Sequence, residues 1–286
     1  MGYNLIRPAN PAKRALTADV GPEVKAFLAR DGWAILRGFE VDMQSFSDLV
    51  AGLCGRITFD PAREYTAANT QMVDAGLGPI GLHIENGNTP KCPDVVAFFA
   101  RRAAFEGSQT TICDGVQVLG AFDDRLKQRW SQRMTVTRTL PEVLWKRYPA
   151  NEHPALSSPD QVRYEHVLQF KGAIPNQDFV LNDDGSLVYS LTFEPVRKSN
   201  LAEVTGFAAA VLGSSHNYQP PRYTFADGSK VTPDEIEALR AIAEPFTTEI
   251  NWQDGDVAVL DNTRILHGRR AIKDPTRELY IGMGTL

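Results

Sequence analysis

The stretch NWQDGDVAVLDNTRILHGR, residues 251–269, carries the clearest fold signal in the chain. Its Gly255-Asp256 pair is a turn signal that leads into an apolar run, and a second apolar run follows and delivers His267. Short runs of the same kind, separated by turn residues, extend back to about residue 80. Many short strands with this spacing are typical of a β-sandwich or barrel.

Outward from this stretch, the pattern predicts a mainly β protein with flanking helices. The predicted strands are GLHIE, DVVAFFA, TTICDG, VLQFKGA, DFVLN, LVYSLTF, DVAVLD, RILHG and ELYIGMG. Apolar residues at helical spacing predict helices over residues 24–31, 46–54, 116–130, 201–212 and 233–243. We interpret residues 1–286 as one domain, with an insertion at about 140–200 that forms a lid over one end of the barrel.

Composition and charge narrow the class of partner. Of the 286 residues, 43% are hydrophobic and 23% are charged, which is ordinary for a globular protein. The net charge of -5 offers no basic excess for nucleic acid, and no apolar run is long enough to span a membrane. Three scattered cysteines predict free thiols in a cytoplasmic protein. A small molecule is therefore the expected partner, and the sequence gives no signal for an oligomeric state.

The tripeptide His83-Ile84-Glu85 is the first candidate metal motif. On a strand, residues two apart project to the same face about 6.6 Å apart, so the imidazole and carboxylate can converge on one ion. A barrel can bring a third ligand, His267, from a distant strand. Two histidines and one carboxylate form the facial triad of non-heme Fe(II) oxygenases, although catalytic zinc uses the same set.

An ordered set of motifs then resembles a known family. The set comprises His83-x-Glu85, Gly107-Ser108-Gln109-Thr110, Trp252-x-x-Gly255-Asp256, the run from Asp261-Asn262 to His267-Gly268-Arg269, and Arg277. Together they resemble the Fe(II)- and 2-oxoglutarate-dependent dioxygenases of the taurine dioxygenase and clavaminate synthase-like superfamily, over about residues 30–285. The resemblance implies a double-stranded β-helix, which is a distorted, cupin-like jelly roll.

The resemblance also implies roles for individual residues. His83, Glu85 and His267 match the catalytic iron ligands. Thr110 matches a threonine that binds a 2-oxoglutarate carboxylate, and Arg277 matches the arginine that clamps the far carboxylate of this cofactor. A planar guanidinium can hold a carboxylate with two parallel hydrogen bonds, which supports the clamp.

Other positions leave alternatives open. Arg269 and Arg270 are rivals for the clamp if the register shifts, and Arg269 is otherwise a candidate substrate contact. Asn86 follows the ligand pair and is either a second substrate contact or a turn residue. The family more often has aspartate where this chain has Glu85, and the glutamate favours an amino acid or a related polar metabolite. We expect His153, His166 and His216 to be structural or substrate contacts, and Trp145 and Trp252 to pack in the core or lid.

The function implied by the resemblance is oxidation of an unactivated C–H bond, with hydroxylation as the expected outcome. Fe(II), 2-oxoglutarate and O2 would be the cofactors, and 2-oxoglutarate would leave as succinate and CO2. Desaturation, epoxidation or ring formation requires only a different substrate pose. Glu85 argues against halogenation, because related halogenases carry alanine or glycine there. The alternatives from other classes are a zinc-dependent hydrolase and a non-catalytic metabolite-binding jelly roll.

Overall fold

A computed structural model describes residues 4–60, 63, 65–67, 69–73, 76–152, 155–213 and 220–286. The α-helices are α1 Gly21–Asp31, α2 Met43–Leu53, α3 Gly115–Gly120, α4 Asp124–Trp130, α5 Glu142–Trp145, α6 Arg147–Glu152, α7 Tyr164–Ala173 and α8 Pro233–Ala243. The strands are β1 Leu5–Ile6, β2 Trp33–Leu36, β3 Arg56–Thr58, β4 Tyr65–Ala67, β5 Thr70–Met72, β6 Ile80–His83, β7 Val95–Arg102, β8 Thr110–Asp114, β9 Met134–Leu140, β10 Gln177–Leu181, β11 Leu187–Phe193, β12 Val196–Lys198, β13 Thr205–Phe207, β14 Arg222–Phe225, β15 Thr247–Ile250, β16 Val257–Asp261, β17 Ile265–Arg269 and β18 Glu278–Thr285.

Two sheets enclose the central core. The larger has the order β1-β2-β16-β7-β18-β5-β4, with β3 also paired to β18, and the smaller has the order β15-β8-β17-β6. Phe98 from the larger sheet and Ile112 from the smaller are buried in one cluster between them. Alternate residues of the larger sheet, such as Phe99, pack instead against α1 and α2. The predicted two-layered β architecture with flanking helices is therefore present.

Residues 134–193 build a separate layer beside these sheets. Strands β10, β11, β9 and β14 form a third sheet in that order, and α5, α6 and α7 lie between β9 and β10 in the chain. One sheet face and the helices share an apolar cluster that includes Val136, Trp145, Val167 and Leu187. This segment coincides with most of the predicted insertion, and its role as a lid stays a prediction.

Two predicted elements are wrong. The stretch VLQFKGA, residues 167–173, lies in helix α7 rather than in a strand. In this helix Tyr164 and Val167, three residues apart, face the apolar cluster together. The predicted helix over 201–212 is instead strand β13 followed by irregular backbone. Gly206 lies against the backbone of Gly115, where an added Cβ would stand 2.9 Å away, so a regular helix does not fit there.

The remaining predictions of helices agree in place with the structure, except that residues 116–130 form two helices. Asp123 ends the gap between them, since its side chain accepts a hydrogen bond from the Leu126 amide at the start of α4. The three cysteines are free thiols. Among the described residues, no helix is both long and apolar enough to cross a membrane.

A buried ion pair ties the Gly255-Asp256 turn to the larger sheet. The Arg37 guanidinium donates to both carboxylate oxygens of Asp256, at 2.9 and 2.6 Å, and the Gln253 amide donates to the same carboxylate at 2.8 Å. The Asp256 side chain is 1% exposed. The turn that precedes β16 is therefore held in place by Arg37, a residue outside that strand.

We expect Asp256→Ala to lower the free energy of unfolding by about 3 kcal/mol, because it leaves the Arg37 charge buried without its partner. Urea denaturation measures the loss. The matched control is Asp31→Ala, which breaks the exposed pair with Arg30 and should cost at most about 1 kcal/mol. Equal losses in the two variants would contradict the structural role given to Asp256.

Candidate functional site

The two candidate histidine ligands lie opposite each other in the smaller sheet. His267 on β17 is the cross-strand partner of His83 on β6, and their ring centroids are 4.4 Å apart. His267 is also the partner of Ile112 on β8, and its ring meets Phe98 edge-on in the core. The pairing therefore points both imidazoles into the space between the two sheets.

Glu85 reaches the histidines by a different route from the predicted one. Strand β6 ends at His83, and Glu85 lies in the turn that follows. Strand alternation therefore does not place the carboxylate, and the turn does. Its Oε2 is 3.3 Å from Nε2 of His267 and 3.9 Å from Nε2 of His83.

These three side chains can hold one metal ion. One ligand atom from each lies within 4.8 Å of the others, and no other group of three or more candidate ligands of this kind was found among the described residues. With metal–ligand distances of about 2.1 Å, adjacent ligands of an octahedral ion stand about 3 Å apart. The observed separations are slightly wider than that, so closure on an ion needs only small side-chain shifts.

A hydrogen bond to the backbone fixes the tautomer of the His83 imidazole. Its Nδ1 lies 2.9 Å from the carbonyl oxygen of Gly81, which can only accept, so Nδ1 carries the proton. The lone pair of Nε2 is then directed at the cluster. Such a bond from the distal nitrogen to a backbone carbonyl is the usual way in which a metal-binding histidine is oriented.

Charge in the cluster favours metal binding at neutral pH. Burial, together with His267, lowers the pKa of His83 to about 4, so its imidazole is neutral. Burial alone would raise the pKa of Glu85, but the Arg63 guanidinium and His267 more than reverse that effect and hold it below its usual range. Arg63 donates to Oε1 of Glu85 at 2.9 Å, which leaves Oε2 facing the histidines. His83 is thus neutral and Glu85 ionised, which are the forms that a metal requires of these two ligands.

Asn262 fixes the backbone of the carboxylate ligand. Its Oδ1 accepts the amide of Glu85 at 2.7 Å, and its Nδ2 donates to the carbonyls of Glu85 at 3.1 Å and Pro93 at 2.8 Å. Asn262 is fully buried. Although 177 residues separate the two positions, one amide side chain holds both backbone polar groups of Glu85.

Thr110 lies on the same inner face, two residues from Ile112. It is buried, and its cross-strand partner on β17 is Arg269. The indole of Trp252 donates to its hydroxyl oxygen at 3.0 Å. Since that oxygen accepts from Trp252, the hydroxyl proton of Thr110 is directed elsewhere, where it can donate to a carboxylate. Trp252, which we expected only to pack, therefore orients a candidate cofactor contact.

Arg277 lies just before β18 in a buried, positively charged setting. Burial lowers its pKa to about 10, and the nearby Arg269 adds to the shift. One Nη2 donor reaches the carbonyl of Val73 at 3.3 Å. Within the part of the chain that the structure describes, no carboxylate forms an ion pair with Arg277. A dicarboxylate bound in this region would offset the repulsion between the positive charges of Arg277 and Arg269.

The two candidate substrate contacts differ in placement. Asn86 adopts a left-handed backbone conformation with φ of 53° and lines a cavity, although none of the three cluster residues does. Arg269 instead donates to the carbonyls of Gly76 at 2.9 Å and Gly78 at 2.6 Å. It does not line that cavity, and these hydrogen bonds anchor the 76–78 backbone. Its rival for the clamp, Arg270, is half exposed and pairs with Glu249 and Glu244.

Of the other histidines, only His166 lies within the described residues, and it does not belong to the cluster. Nδ1 of His166 accepts the amide of Arg163 at the start of α7, which is a helix-capping role. His153 and His216 lie outside the described residues. Sequence reasoning missed Arg63 altogether, because no local pattern around it indicates that it will meet Glu85.

A family model covers almost the whole chain. The model for "Taurine catabolism dioxygenase TauD, TfdA family" matches residues 9–283. The chain belongs to this family. The dioxygenase resemblance inferred from the ordered motifs is confirmed, and the TauD, TfdA family assignment covers both histidines and the carboxylate of the cluster.

Individual relatives are distant. The dapdiamide synthesis protein DdaC of Enterobacter agglomerans is 22% identical over 280 residues, which cover 86% of this chain and 80% of DdaC. A taurine dioxygenase from Burkholderia xenovorans superposes with a TM-score of 0.63 at 15% identity, over 99% of this chain and 86% of its own. PvcB of Pseudomonas aeruginosa superposes with a TM-score of 0.61 at 14% identity, over 98% of this chain and 84% of PvcB. These structures share the fold, so the predicted jelly roll is confirmed.

The pKa of His83 predicts a pH dependence of stability in the metal-free protein. Between its ordinary value of 6.5 and about 4, the unfolded chain binds a proton that the folded chain does not. Stability should therefore fall as the pH drops through this window, by up to about 3 kcal/mol from this residue. Urea denaturation at pH 7, 6 and 5 measures the slope, which His83→Gln should flatten and His166→Gln should retain. An unchanged slope in His83→Gln would contradict a buried, neutral His83.

We expect Asn262→Ala to weaken Mn(II) binding about 10- to 100-fold, because the ligand turn loses the side chain that fixes it. Isothermal titration with Mn(II), a redox-stable probe, measures the change. Asn200→Ala is the matched control, since Asn200 binds Asp94 and does not contact Glu85. If both variants bound Mn(II) like the unmodified protein, Asn262 would have no role in positioning the carboxylate.

Proposed function

We propose that this TauD, TfdA family member is a non-heme Fe(II)- and 2-oxoglutarate-dependent dioxygenase that hydroxylates an unactivated C–H bond of a small metabolite. The carrying observation is the buried cluster of His83, Glu85 and His267 beside Thr110 and Arg277. Thr110 pairs with Arg269 on the strand that carries His267, and the charge of Arg269 acts on Arg277, which supports one common site for the five positions. PvcB, which shares this fold, is described as an Fe, alpha-ketoglutarate dependent oxygenase from an isonitrile synthetic pathway.

His83, Glu85 and His267 would hold the iron in this proposal. Three protein ligands leave further coordination positions for 2-oxoglutarate and O2. When bound, the iron and 2-oxoglutarate supply the oxidation, in which 2-oxoglutarate gives succinate and CO2 and one oxygen atom of O2 enters the substrate. Arg63 keeps Glu85 ionised and oriented through the oxygen that does not face the histidines.

Thr110 and Arg277 would hold the cofactor. The hydroxyl of Thr110, oriented by Trp252, donates to a carboxylate oxygen. Arg277 offers a buried guanidinium that can clamp the far carboxylate with two hydrogen bonds. Because Arg269 lies near Arg277 and adds positive charge, the pair favours a dianion over a neutral ligand. Thr110 and Arg277 are both buried, and the low dielectric constant of a buried setting strengthens each of these interactions.

Two observations favour the oxygenase over a zinc hydrolase. A hydrolase with the same ligands would have no use for a buried, cationic Arg277 or for a threonine oriented by an indole. The distant relative DdaC belongs by name to a biosynthetic route, dapdiamide synthesis. Within the oxygenase class, desaturation, epoxidation and ring formation use the same cluster, and the product of the true substrate would identify the outcome.

The first test is succinate formation by protein purified without oxygen and then supplied with Fe(II), 2-oxoglutarate and air. We expect slow succinate formation that needs both Fe(II) and O2, and His83→Ala should abolish metal binding. Zn(II)-dependent hydrolysis without any need for O2 would contradict the oxygenase proposal and support a zinc-dependent hydrolase.

A sharper prediction concerns Arg277. We expect Arg277→Met to raise the 2-oxoglutarate concentration at half-maximal succinate formation at least about tenfold, because a charge-assisted carboxylate contact is lost. Metal affinity should stay within about twofold. Arg101→Met is the matched control, since Arg101 is exposed and pairs with Glu278 on the surface. An unchanged 2-oxoglutarate requirement in Arg277→Met would show that another group holds the cofactor.

A further inference from the structure

A cavity lies between the third sheet and helices α5–α7. Its walls include Trp145, Val167, Phe179 and Leu187, and its volume is about 110 Å³. One water molecule needs only about 10–15 Å³ of such space. The cavity is therefore large enough for a small organic molecule, and its largely apolar walls suit an apolar body.

One wall of this cavity carries a buried arginine in a row of apolar residues. Along β9, the buried positions are Met134, Val136, Arg138 and Leu140, so Arg138 stands where the alternation predicts an apolar side chain. It is 7% exposed and lines the cavity. A charged group in such a setting is costly to bury, and retaining it is characteristic of a functional role.

Tyr189 lies directly across from Arg138. The two are cross-strand partners on β11 and β9, and both line the cavity. The Tyr189 hydroxyl is buried and has no hydrogen-bond partner among the described residues. Phe179, the partner of Tyr189 on β10, packs its ring 5.6 Å away and holds the phenol in place. A buried hydroxyl without a protein partner is free to donate to a molecule bound in the cavity.

The charges that line the cavity have one sign. Lys91 and Arg138 line it, and among the described residues of its wall there is no aspartate or glutamate. An anionic group would find a guanidinium and a phenol hydroxyl side by side. A free ammonium group would find no carboxylate to pair with, and burying it there would be unfavourable.

The cavity adjoins the metal cluster through the chain itself. Asn86, which follows Glu85 directly, lines the same cavity, as do Asn88 and Thr89 farther along this loop. The loop that follows the carboxylate ligand and Arg138 therefore form parts of the wall of one cavity.

We propose that this cavity is the substrate pocket and that it selects a carboxylic acid with an apolar body and no free ammonium group. An arylalkanoic acid and an N-acylated amino acid are examples of this class. Arg138 and Tyr189 hold the carboxylate, and the apolar body lies against Trp145 and Phe179. The assignment of the pocket to a substrate rests on the proposed dioxygenase function, whereas the preference for such an acid does not.

Four probes with one skeleton test the preference. They are 4-phenylbutyrate, its neutral amide, the cation 4-phenylbutylamine, and the zwitterion 2-amino-4-phenylbutyrate. Binding to the full-length protein is measured by calorimetry and by tryptophan fluorescence, since Trp145 lines the cavity. We expect 4-phenylbutyrate to bind at least about tenfold more tightly than the other three. No binding of any probe at millimolar concentration, or equal binding of acid and amide, would overturn the proposal.

Variants locate the preference at the two named side chains. Arg138→Gln should remove the preference for acid over amide while leaving amide binding within about twofold. Arg222→Gln is the matched control, because Arg222 is an exposed arginine that pairs with Thr137 on the same sheet. If both variants weakened acid binding alike, the loss of any positive charge on this sheet would explain the effect, and the proposal would fail.

A second variant keeps the test decisive if Arg138→Gln does not fold. Tyr189→Phe removes only one hydroxyl and should reduce the preference for acid about threefold. A preference unchanged by this variant would overturn the pairing of Tyr189 with the carboxylate.

The pocket and the dioxygenase function can fail separately. Binding is measured with and without Mn(II) and 2-oxoglutarate, and succinate formation is measured in parallel. Selective binding of 4-phenylbutyrate without any Fe(II)-dependent succinate would support the acid preference and overturn the oxygenase. Fe(II)-dependent succinate formation with no preference among the probes would support the oxygenase and overturn the acid preference.

Discussion

The pairing of β17 with β6 is the interaction on which the site depends. It sets His267 opposite His83, and the pairing of β17 with β8 on its other edge brings Thr110 alongside. Gly268 permits this close approach, because a Cβ at that position would lie 2.6 Å from the carbonyl oxygen of Ile80. A larger residue next to His267 would push the ligand strands apart and separate the metal ligands.

Electrostatics around the cluster follow from placing several charges between two apolar sheets. Arg63 compensates the Glu85 carboxylate. Burial lowers the pKa of Arg277 to about 10, and the nearby Arg269 adds to the shift. Burial makes the neutral imidazole of His83 the stable form. The same low-dielectric setting therefore prepares metal ligands at one point and an anion site at another.

The sequence identifies the cluster better than it identifies how the cluster is built. The two histidines and the strands that carry them could be predicted, because a short apolar run with a fixed turn signal is a local property. The position of Glu85 in a turn could not, since it depends on Asn262, which is 177 residues away. Helix α7 was mistaken for a strand because a short apolar run fits both periods. The roles of Arg63 and Arg138 could not be predicted from the sequence, because they depend on contacts that only the fold creates.

The turn after β6 has a mechanical consequence. Glu85 is fixed at its backbone by Asn262, and the next residue, Asn86, is already part of the cavity wall with its backbone in the left-handed region. One peptide bond thus joins the carboxylate of the metal cluster to the surface that a bound molecule would touch. A molecule that fills the cavity would therefore touch the residue that directly follows a candidate metal ligand.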